Sequence, residues 1–371
     1  MGFLLRPVRA LLTLGLVALV VVEIVAAQQF SYPFDKPVVT GALPSRDIHR
    51  QSLGTDGKAG STLLNWTGSF TYNNTTYPYT MLGTDPSLGS HTTVIQAILI
   101  PIKFAFANGT VLDASAPVYG QNQSAVQLTQ ESPLFKPVPF KPGGTNVGTT
   151  QYIDAFQRAN FWNLVSTTAP DYHVKFKLTT APLQTLKVPT YFGYTRPGPG
   201  NPIGFVDNGW YDGQLGVILF RLKIKTNTLP MFLIYNTIGI TPTFYYAGYH
   251  TAYGNPAQVY LSAGFFDQGI YSYGGDVIFL SHEMGEATDD PFITNLVPQW
   301  KNPETGTCSN LLEIGDPVPD VGIPPIVRRG YTYHPQDLTF LPWFAQLVPS
   351  TSVNGWYTFG DALRGPPPIC K

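Results

Sequence analysis

The sequence predicts an α+β fold, a mixed or antiparallel sheet of short strands with one helix packed across one face. Runs of β-branched residues recur along the chain, and turn clusters rich in Pro and Gly separate them. Only two segments have helical periodicity. Charged residues make up 12% of the chain, which contains 36 Gly and 34 Pro. Such a composition favours strands and turns over long solvated helices.

The predicted strands begin with residues 92–104, a β-branched run that is followed by the hairpin signal Asn108-Gly109. Residues 171–178 alternate between apolar and polar side chains, which is typical of a half-buried strand. The remaining predicted strands are residues 215–225, 231–235, 243–249 and 258–261.

Two helices are predicted. The first is residues 150–164, with Thr149 or Thr150 as its N-cap. The second is residues 275–289, which Pro291 ends. We expect the second helix to pack on the sheet through an apolar stripe and to turn its polar side towards a cleft. The stripe is formed by Val277, Leu280, Met284 and Ala287.

The strongest chemical signal lies in residues 281–286, Ser-His-Glu-Met-Gly-Glu. Residues four apart on a helix share one face, so His282 and Glu286 can bind one metal ion. Glu283 lies beside them as a candidate general base. This pattern predicts a zincin-like active-site helix, with Glu in place of the usual second His. The alternative is a surface helix whose acidic residues are solvated.

A zinc centre needs a third protein ligand, and a catalytic centre keeps its fourth position for water. Glu313 or Asp316, in a downstream segment, is the preferred candidate. His250, at the end of a predicted strand, is a second candidate, and His334 is a third. A site with two carboxylates would bind Zn²⁺ and would also admit calcium or manganese.

The N-terminus has the features of a secretory signal peptide, residues 1–27. Arg6 and Arg9 precede an apolar run, and small residues lead up to Ala27. A retained membrane anchor is the alternative, but Glu23 interrupts the run, which is short for a spanning helix. We therefore expect a secreted protein, extracellular or periplasmic, without stable membrane association after cleavage.

The mature chain is predicted to comprise an extended N-terminal arm, residues 28–75, and a single α+β domain, residues 76–371. Two cysteines, Cys308 and Cys370, are predicted to form a disulfide in an oxidising compartment. The net charge of −1 does not indicate a nucleic-acid partner.

Four segments together resemble the phosphate-induced protein family, also called EXORDIUM-like, which comprises secreted plant cell-wall proteins and bacterial relatives. The segments are Gly248-Tyr249-His250, the run from His282 to Pro291, Trp300, and Glu313-Ile314-Gly315-Asp316. The resemblance covers residues 231–316, and it implies secretion and a role at cell walls or extracellular polymers without implying a reaction. Family members tend to have a Cys directly after the last segment, where this chain has Pro317, so their disulfide pattern cannot be transferred.

Two functions are consistent with these residues. One is a secreted, peptidase-like, metal-dependent hydrolase in which Glu283 takes a proton from water, acting on an extracellular peptide or polysaccharide. The other is a non-enzymatic cell-wall or polysaccharide-binding protein. In that case Tyr- and Trp-rich loops would stack on sugar rings, and the helix at 275–289 would hold a structural metal or a buried polar network. An open coordination position next to Glu283 would distinguish the two.

Overall fold

The computed structural model describes residues 62–370 and the backbone of Val38–Val39. The predicted signal peptide, residues 1–27, lies outside the described residues, as does most of the predicted arm. Strands account for 36% and helices for 19%, so the predicted α+β class is confirmed. Within the described part of the chain, no helix is long and apolar enough to cross a membrane.

The elements are as follows. The strands are β1 (Val38–Val39), β2 (Asn65–Tyr72), β3 (Thr75–Leu82), β4 (Thr92–Phe106), β5 (Val111–Asp113), β6 (Val138–Phe140), β7 (Gly148–Thr150), β8 (His173–Thr180), β9 (Gln184–Val188), β10 (Gly193–Arg196), β11 (Ile203–Asp207), β12 (Thr228–Tyr235), β13 (Thr237–Ile240), β14 (Tyr245–Tyr246), β15 (Gly248–Tyr253), β16 (Gln258–Phe265), β17 (Leu296–Lys301), β18 (Cys308–Leu311), β19 (Ile326–Arg328) and β20 (Tyr331–Tyr333). The α-helices are α1 (Ala125–Glu131), α2 (Tyr152–Asn160), α3 (Trp162–Val165), α4 (Asn208–Leu222), α5 (Ile278–Asp289) and α6 (Leu341–Phe344). Short 3₁₀ helices lie at Pro86–Leu88, Pro142–Gly144 and Val353–Gly355.

Strand β4 is the centre of the main sheet, which has the order β15-β16-β12-β4-β5. β12 runs parallel to both β4 and β16, and β15 is antiparallel at the edge. On the other side of β4, β8 pairs with its first half and β9 with its second half, both in parallel. The sheet is mixed, as predicted, although β4 has 15 residues and is longer than the short strands that we expected.

The smaller sheets surround this one. A second sheet has the order β1-β14-β13-β11-β10, and four pairs stand alone: β2 with β3, β6 with β7, β17 with β18, and β19 with β20. The β2–β3 hairpin runs from the pair Asn65 and Leu82 to the pair Tyr72 and Thr75. The last part of the predicted arm is therefore a paired strand.

Helices cover both faces of the main sheet. Side chains alternate between the two faces of a strand, and β4 divides its apolar residues accordingly. Ile95 and Leu99 belong to a hydrophobic cluster that includes residues of α2 and α5. Ile102 and Phe104 belong to a second cluster, which includes residues of α4. Helices α5 and α4 therefore pack on opposite faces of the sheet.

The strand predicted at residues 215–225 is wrong, because most of this segment lies in α4. Leu215 and Leu219 are buried at helical spacing. The side chain of Asp207 caps the helix by accepting a backbone N–H of its first turn, and Lys223, at a φ of 53°, ends it. These caps and the packing of one face outweigh the strand preference of the apolar run.

The other predictions of secondary structure differ from the observed elements mainly at their ends. The helix predicted at 150–164 is divided at Phe161 into α2 and α3, and its N-cap is Gln151 rather than Thr149 or Thr150. The strand predicted at 243–249 falls partly on β14 and partly on β15, whereas β4, β8, β12 and β16 lie where strands were predicted. The hairpin signal after β4 connects it to β5.

The predicted disulfide is confirmed. Cys308, at the start of β18, is bonded to Cys370, and their Cα atoms are 5.7 Å apart. The bond ties the end of the described chain to the segment that follows α5 and β17.

Candidate metal centre

Helix α5 is buried on every side. All its residues, from Ile278 to Asp289, are buried, and it packs on β15 and β16 of the main sheet. The sequence predicted that its polar side would face a cleft. In the described part of the chain that side is covered instead, by β15 and by the segment that follows β18. The histidine and carboxylates of α5 are therefore removed from bulk water.

Six ionisable side chains meet beside α5. They come from three parts of the chain: His250 from β15, His282, Glu283 and Glu286 from α5, and Glu313 and Asp316 from the segment after β18. All the preferred candidate ligands thus lie in one cluster. His334 lies outside it, and its Nδ1 is 3.3 Å from Oδ2 of Asp276.

The first group of potential ligands forms around His282. Its Nε2 lies 3.0 Å from Oε1 of Glu286 and 3.4 Å from Oδ1 of Asp316. The three ligand atoms lie within 4.8 Å of one another. The i, i+4 pair on the helix is arranged as the sequence predicts, and Asp316 supplies a third oxygen.

The second group forms around His250. Its Nδ1 lies 3.4 Å from Oε2 of Glu283 and 3.4 Å from Oε2 of Glu286, and these three residues also have ligand atoms within 4.8 Å of one another. Glu286 therefore contributes one oxygen to each group. Glu313 is in neither group, since its Oε2 approaches the other ring nitrogen of His250, at 4.0 Å.

A glutamine fixes the proton position on His282. Gln336 donates from Nε2 to the backbone carbonyls of Gly315, at 2.8 Å, and Val318, at 3.1 Å. Its Oε1 therefore faces Nδ1 of His282, at 2.9 Å, and can only accept. His282 must carry a proton on Nδ1, so Nε2 is the ring nitrogen that is turned towards Glu286 and Asp316 and is placed to bind a metal. Metal-binding histidines are oriented in this way.

His250 is held in a similar way by the backbone. Its Nε2 lies 3.2 Å from the carbonyl oxygen of Asp290, just after α5. A carbonyl can only accept, so Nε2 carries the proton. The Nδ1 atom then points at Glu283 and Glu286. Both histidines thus turn their other ring nitrogen towards carboxylates.

The spacing of these atoms suits a cation between them. Two ligands of a tetrahedral zinc ion, each about 2.1 Å from the metal, are about 3.4 Å apart. N–H···O hydrogen bonds are usually about 2.7–3.2 Å, so the 3.0 Å between His282 and Glu286 also fits a hydrogen bond, whereas the three separations of 3.4 Å fit the metal geometry better. Five buried atoms of the cluster have no hydrogen-bond partner among the described residues: Nδ1 of His250, Oε2 of Glu286, Oδ1 of Asp316, and Oε1 and Oε2 of Glu313. The donor set and its spacing therefore fit a divalent cation.

Burial shapes the electrostatics of the cluster. It raises the pKa of Glu283 to about 7 and that of Asp316 to about 6. The pKa of Glu313 is raised well above its ordinary range by burial and by the nearby Glu286 carboxylate. Burial opposes ionisation of Glu286 as well, but the two histidines beside it lower its pKa. Glu286 is thus the most firmly ionised carboxylate of the cluster.

Two glycines leave room for these side chains. A Cβ on Gly315 would lie 2.4 Å from Nδ1 of His282, and one on Gly248 would lie 2.8 Å from Oε1 of Glu283. Neither approach is compatible with a normal Cβ contact. The imidazole and the carboxylate therefore pack directly against backbone from β15 and from the segment after β18.

Some residues of the site could not be found from the sequence. Gln336 lies in a segment without a motif, and Asn302, which donates to Oδ2 of Asp316 at 2.8 Å, lies in a turn. The carbonyl of Asp290 carries no side-chain signal. Each is recognisable only once the fold brings it beside a ligand.

Comparison with known proteins identifies no relative. No protein-family model matches the chain, and no curated protein or solved structure is significantly similar to it. The resemblance to the phosphate-induced protein family therefore stays an expectation from the sequence.

Proposed function

We propose that the protein is a secreted, peptidase-like, metal-dependent hydrolase with a divalent cation, zinc by preference, on His282, Glu286 and Asp316. The observation that carries the proposal is the orientation of His282, whose Nδ1 is bonded to Gln336 while its Nε2 lies 3.0 Å from Oε1 of Glu286 and 3.4 Å from Oδ1 of Asp316. In the metal-free protein a proton on Nε2 can pair with these carboxylates, and in this proposal a divalent cation takes the place of that proton. One nitrogen and two oxygens suit zinc and also admit manganese or calcium.

In this proposal Glu283 is the general base. A cation bound at His282 supplies Lewis acidity, which acidifies water and polarises a carbonyl group. Glu283 follows His282 directly on α5, and its pKa, raised to about 7 by burial, suits proton transfer near neutral pH. Glu283 then accepts a proton from the attacking water and returns it to the leaving group.

The substrate would approach from the side of Asp316. The side chain of Asp316 keeps 8% of its surface exposed, whereas those of His282 and Glu286 keep none. An extracellular peptide is the preferred substrate because the helix pattern resembles that of zinc peptidases, with Glu286 in place of the second histidine. The Cys308–Cys370 disulfide is consistent with an oxidising compartment.

The test is Glu283→Gln, which keeps the size of the side chain and removes the base. The purified variant should keep its fold and the cation on His282, Glu286 and Asp316, but lose roughly 10²–10⁴-fold in the hydrolysis of any substrate found by screening peptide and glycan libraries. Asp289→Asn is a matched control, since it neutralises a buried carboxylate of the same helix that bonds to Gln157. Full activity in Glu283→Gln would refute the proposed role.

The burial of the cluster favours a second candidate, a non-enzymatic wall-binding or polysaccharide-binding protein with a structural metal. His282, Glu283 and Glu286 have no exposed surface, which is typical of closed structural sites. Tyr119 and Tyr191, which are 59% and 80% exposed, offer rings that can stack on sugars. This candidate predicts no hydrolysis by the wild type, with Glu283→Gln changing stability alone. Co-sedimentation with insoluble polysaccharides, compared with the Tyr191→Ala variant, tests it directly.

A further inference from the structure

We propose a second cation position, formed by His250, Glu283 and Glu286, that shares Glu286 with the first. We further infer that a cation there removes Glu283 from its role as base, so that excess metal inhibits the protein. The position follows from geometry alone. The inhibition rests on the proposed function.

The imidazole of His250 supplies the first argument. Nδ1 lies at the same distance, 3.4 Å, from one oxygen of Glu283 and one of Glu286. No hydrogen bond of Nδ1 is formed among the described residues, because both oxygens are beyond the usual range. Since Nε2 is bonded to the carbonyl of Asp290 at 3.2 Å, Nδ1 is free to bind a metal. Both separations match the edge of a zinc tetrahedron, about 3.4 Å.

The carboxylate of Glu286 supplies the second argument. Its Oε1 is 3.0 Å from Nε2 of His282, and its Oε2 is 3.4 Å from Nδ1 of His250. Each oxygen thus faces a different imidazole. Oε1 also accepts the backbone N–H of Gly315 at 3.2 Å, which limits rotation of the group. A carboxylate that presents one oxygen to each of two positions can bridge two metal ions, which in two-metal sites are about 3.5–4 Å apart.

The backbone of β15 directs Glu283 to this position. Gly248 lies two residues before His250, and its missing side chain makes room for the Glu283 carboxylate, which a Cβ there would approach to 2.8 Å. A carboxylate lodged beside β15 lies within reach of His250. The same strand therefore places the nitrogen ligand and leaves room for the oxygen ligand.

The consequence for catalysis follows from the two uses of Glu283. With only the first position filled, Glu283 can exchange a proton with water. With the second position filled, its Oε2 is a metal ligand and no longer a base. Activity should therefore rise with the first equivalent of metal and fall with the second.

The test is to titrate the metal-free, full mature chain with two metals. Binding of cobalt(II) is measured by visible absorption, and binding of zinc is measured by calorimetry. The wild type should bind two equivalents. His250→Asn should bind one and Asp316→Asn should also bind one, each retaining the other position, while Glu286→Gln should weaken both. Circular dichroism shows whether each variant is folded. If a variant does not fold, the titration of the wild type still decides whether the second position exists.

The outcomes separate the two proposals. A single equivalent in the wild type overturns the second position and leaves the proposed hydrolase intact. No bound metal overturns both. If the wild type binds two equivalents of metal and its activity is the same with one as with two, the inhibitory effect alone is overturned. Loss of inhibition by excess zinc in His250→Asn would support it.

Discussion

The Nδ1 atom of His282 lies 2.9 Å from Oε1 of Gln336, a residue 54 positions further along the chain. The amide of Gln336 is itself fixed, since its Nε2 donates to two backbone carbonyls, and its backbone N–H donates to Oγ of Ser281 at 2.8 Å. The orientation of the imidazole therefore depends on a segment that contributes no ligand to the proposed centre.

The first prediction is that Gln336→Met weakens binding at the first cation position by roughly 10–100-fold, the usual effect of removing a residue that orients a metal ligand. Methionine keeps approximately the volume of glutamine, but its sulfur is only a weak acceptor for the Nδ1 proton. Competition with a chromophoric chelator measures the affinity. Gln157→Met is the control, because Gln157 bonds to Asp289 of the same helix, which is not a proposed ligand. Equal zinc affinity in Gln336→Met and the wild type would contradict the role assigned to the bond.

The part of the site that the sequence predicts is the part that depends on local spacing. His282 and Glu286 share a helix face because they are four residues apart, and α5 ends at Asp289 as the following Asp-Pro predicts. His250 and Asp316 were recognised as candidates, but their distances from His282 depend on the packing of β15 and of the segment after β18. No local pattern contains that information.

The burial of α5 shows the same limit. The periodicity of its sequence predicts one buried face, whereas the structure covers the polar face as well. Strand β15 and the segment around Glu313 provide this cover, and both are remote from α5 in sequence. The wrong prediction of a strand at 215–225 has a similar cause. A short apolar run alone does not distinguish a strand from a packed helix.

The second prediction concerns Gly315. An alanine there would place its Cβ 2.4 Å from Nδ1 of His282, so the imidazole must move and its bond to Gln336 must break. We expect Gly315→Ala to lose metal at the first position and to lower the melting temperature of the metal-loaded protein. Gly216→Ala, on α4, is the control, because nothing lies within 4 Å of its added Cβ. Equal metal content in Gly315→Ala and Gly216→Ala would show that the contact is unimportant.

The third prediction concerns the disulfide. Cys308 and Cys370 are separated by 62 positions, and a cross-link closing a loop of that size stabilises a protein by about 4 kcal/mol in the chain-entropy account. The double variant Cys308→Ser, Cys370→Ser should lose stability of this order in urea unfolding of the metal-free protein. Its metal stoichiometry should be unchanged, since neither cysteine contributes to the cluster. A loss below about 1 kcal/mol would indicate that the chain-entropy account fails here.

The fourth prediction is that the stability of the metal-free protein depends on pH and that bound metal removes this dependence. In the metal-free protein, burial raises the pKa of Glu283 to about 7 and that of Asp316 to about 6. These carboxyls keep their protons in the folded state at pH values where the unfolded chain releases them. Stability therefore falls as the pH rises from about 4.5 to about 7.

The histidines add to this fall. Burial disfavours their charged forms, but the surrounding carboxylates raise the pKa of His250 and His282 well above its ordinary value. Their contribution to stability is complete below the unfolded pKa of about 6.5 and is lost as the pH rises through the folded values. Glu286 behaves in the opposite sense, since its pKa is lowered. Its contribution is present above the unfolded pKa, so it changes little between pH 5 and pH 8.

A bound cation replaces these protons, because metal ligands must be deprotonated. The metal-free protein should become less stable from pH 5 to pH 8, and the metal-loaded protein should not. The difference in melting temperature between zinc-loaded and chelator-treated protein should therefore widen with increasing pH. Differential scanning calorimetry at pH 5, 6, 7 and 8 measures it, and the Glu286→Gln variant, which lacks the shared ligand, should show a much smaller difference. A difference that stays constant over this range in the wild type would mean that protons and metal do not compete for these side chains.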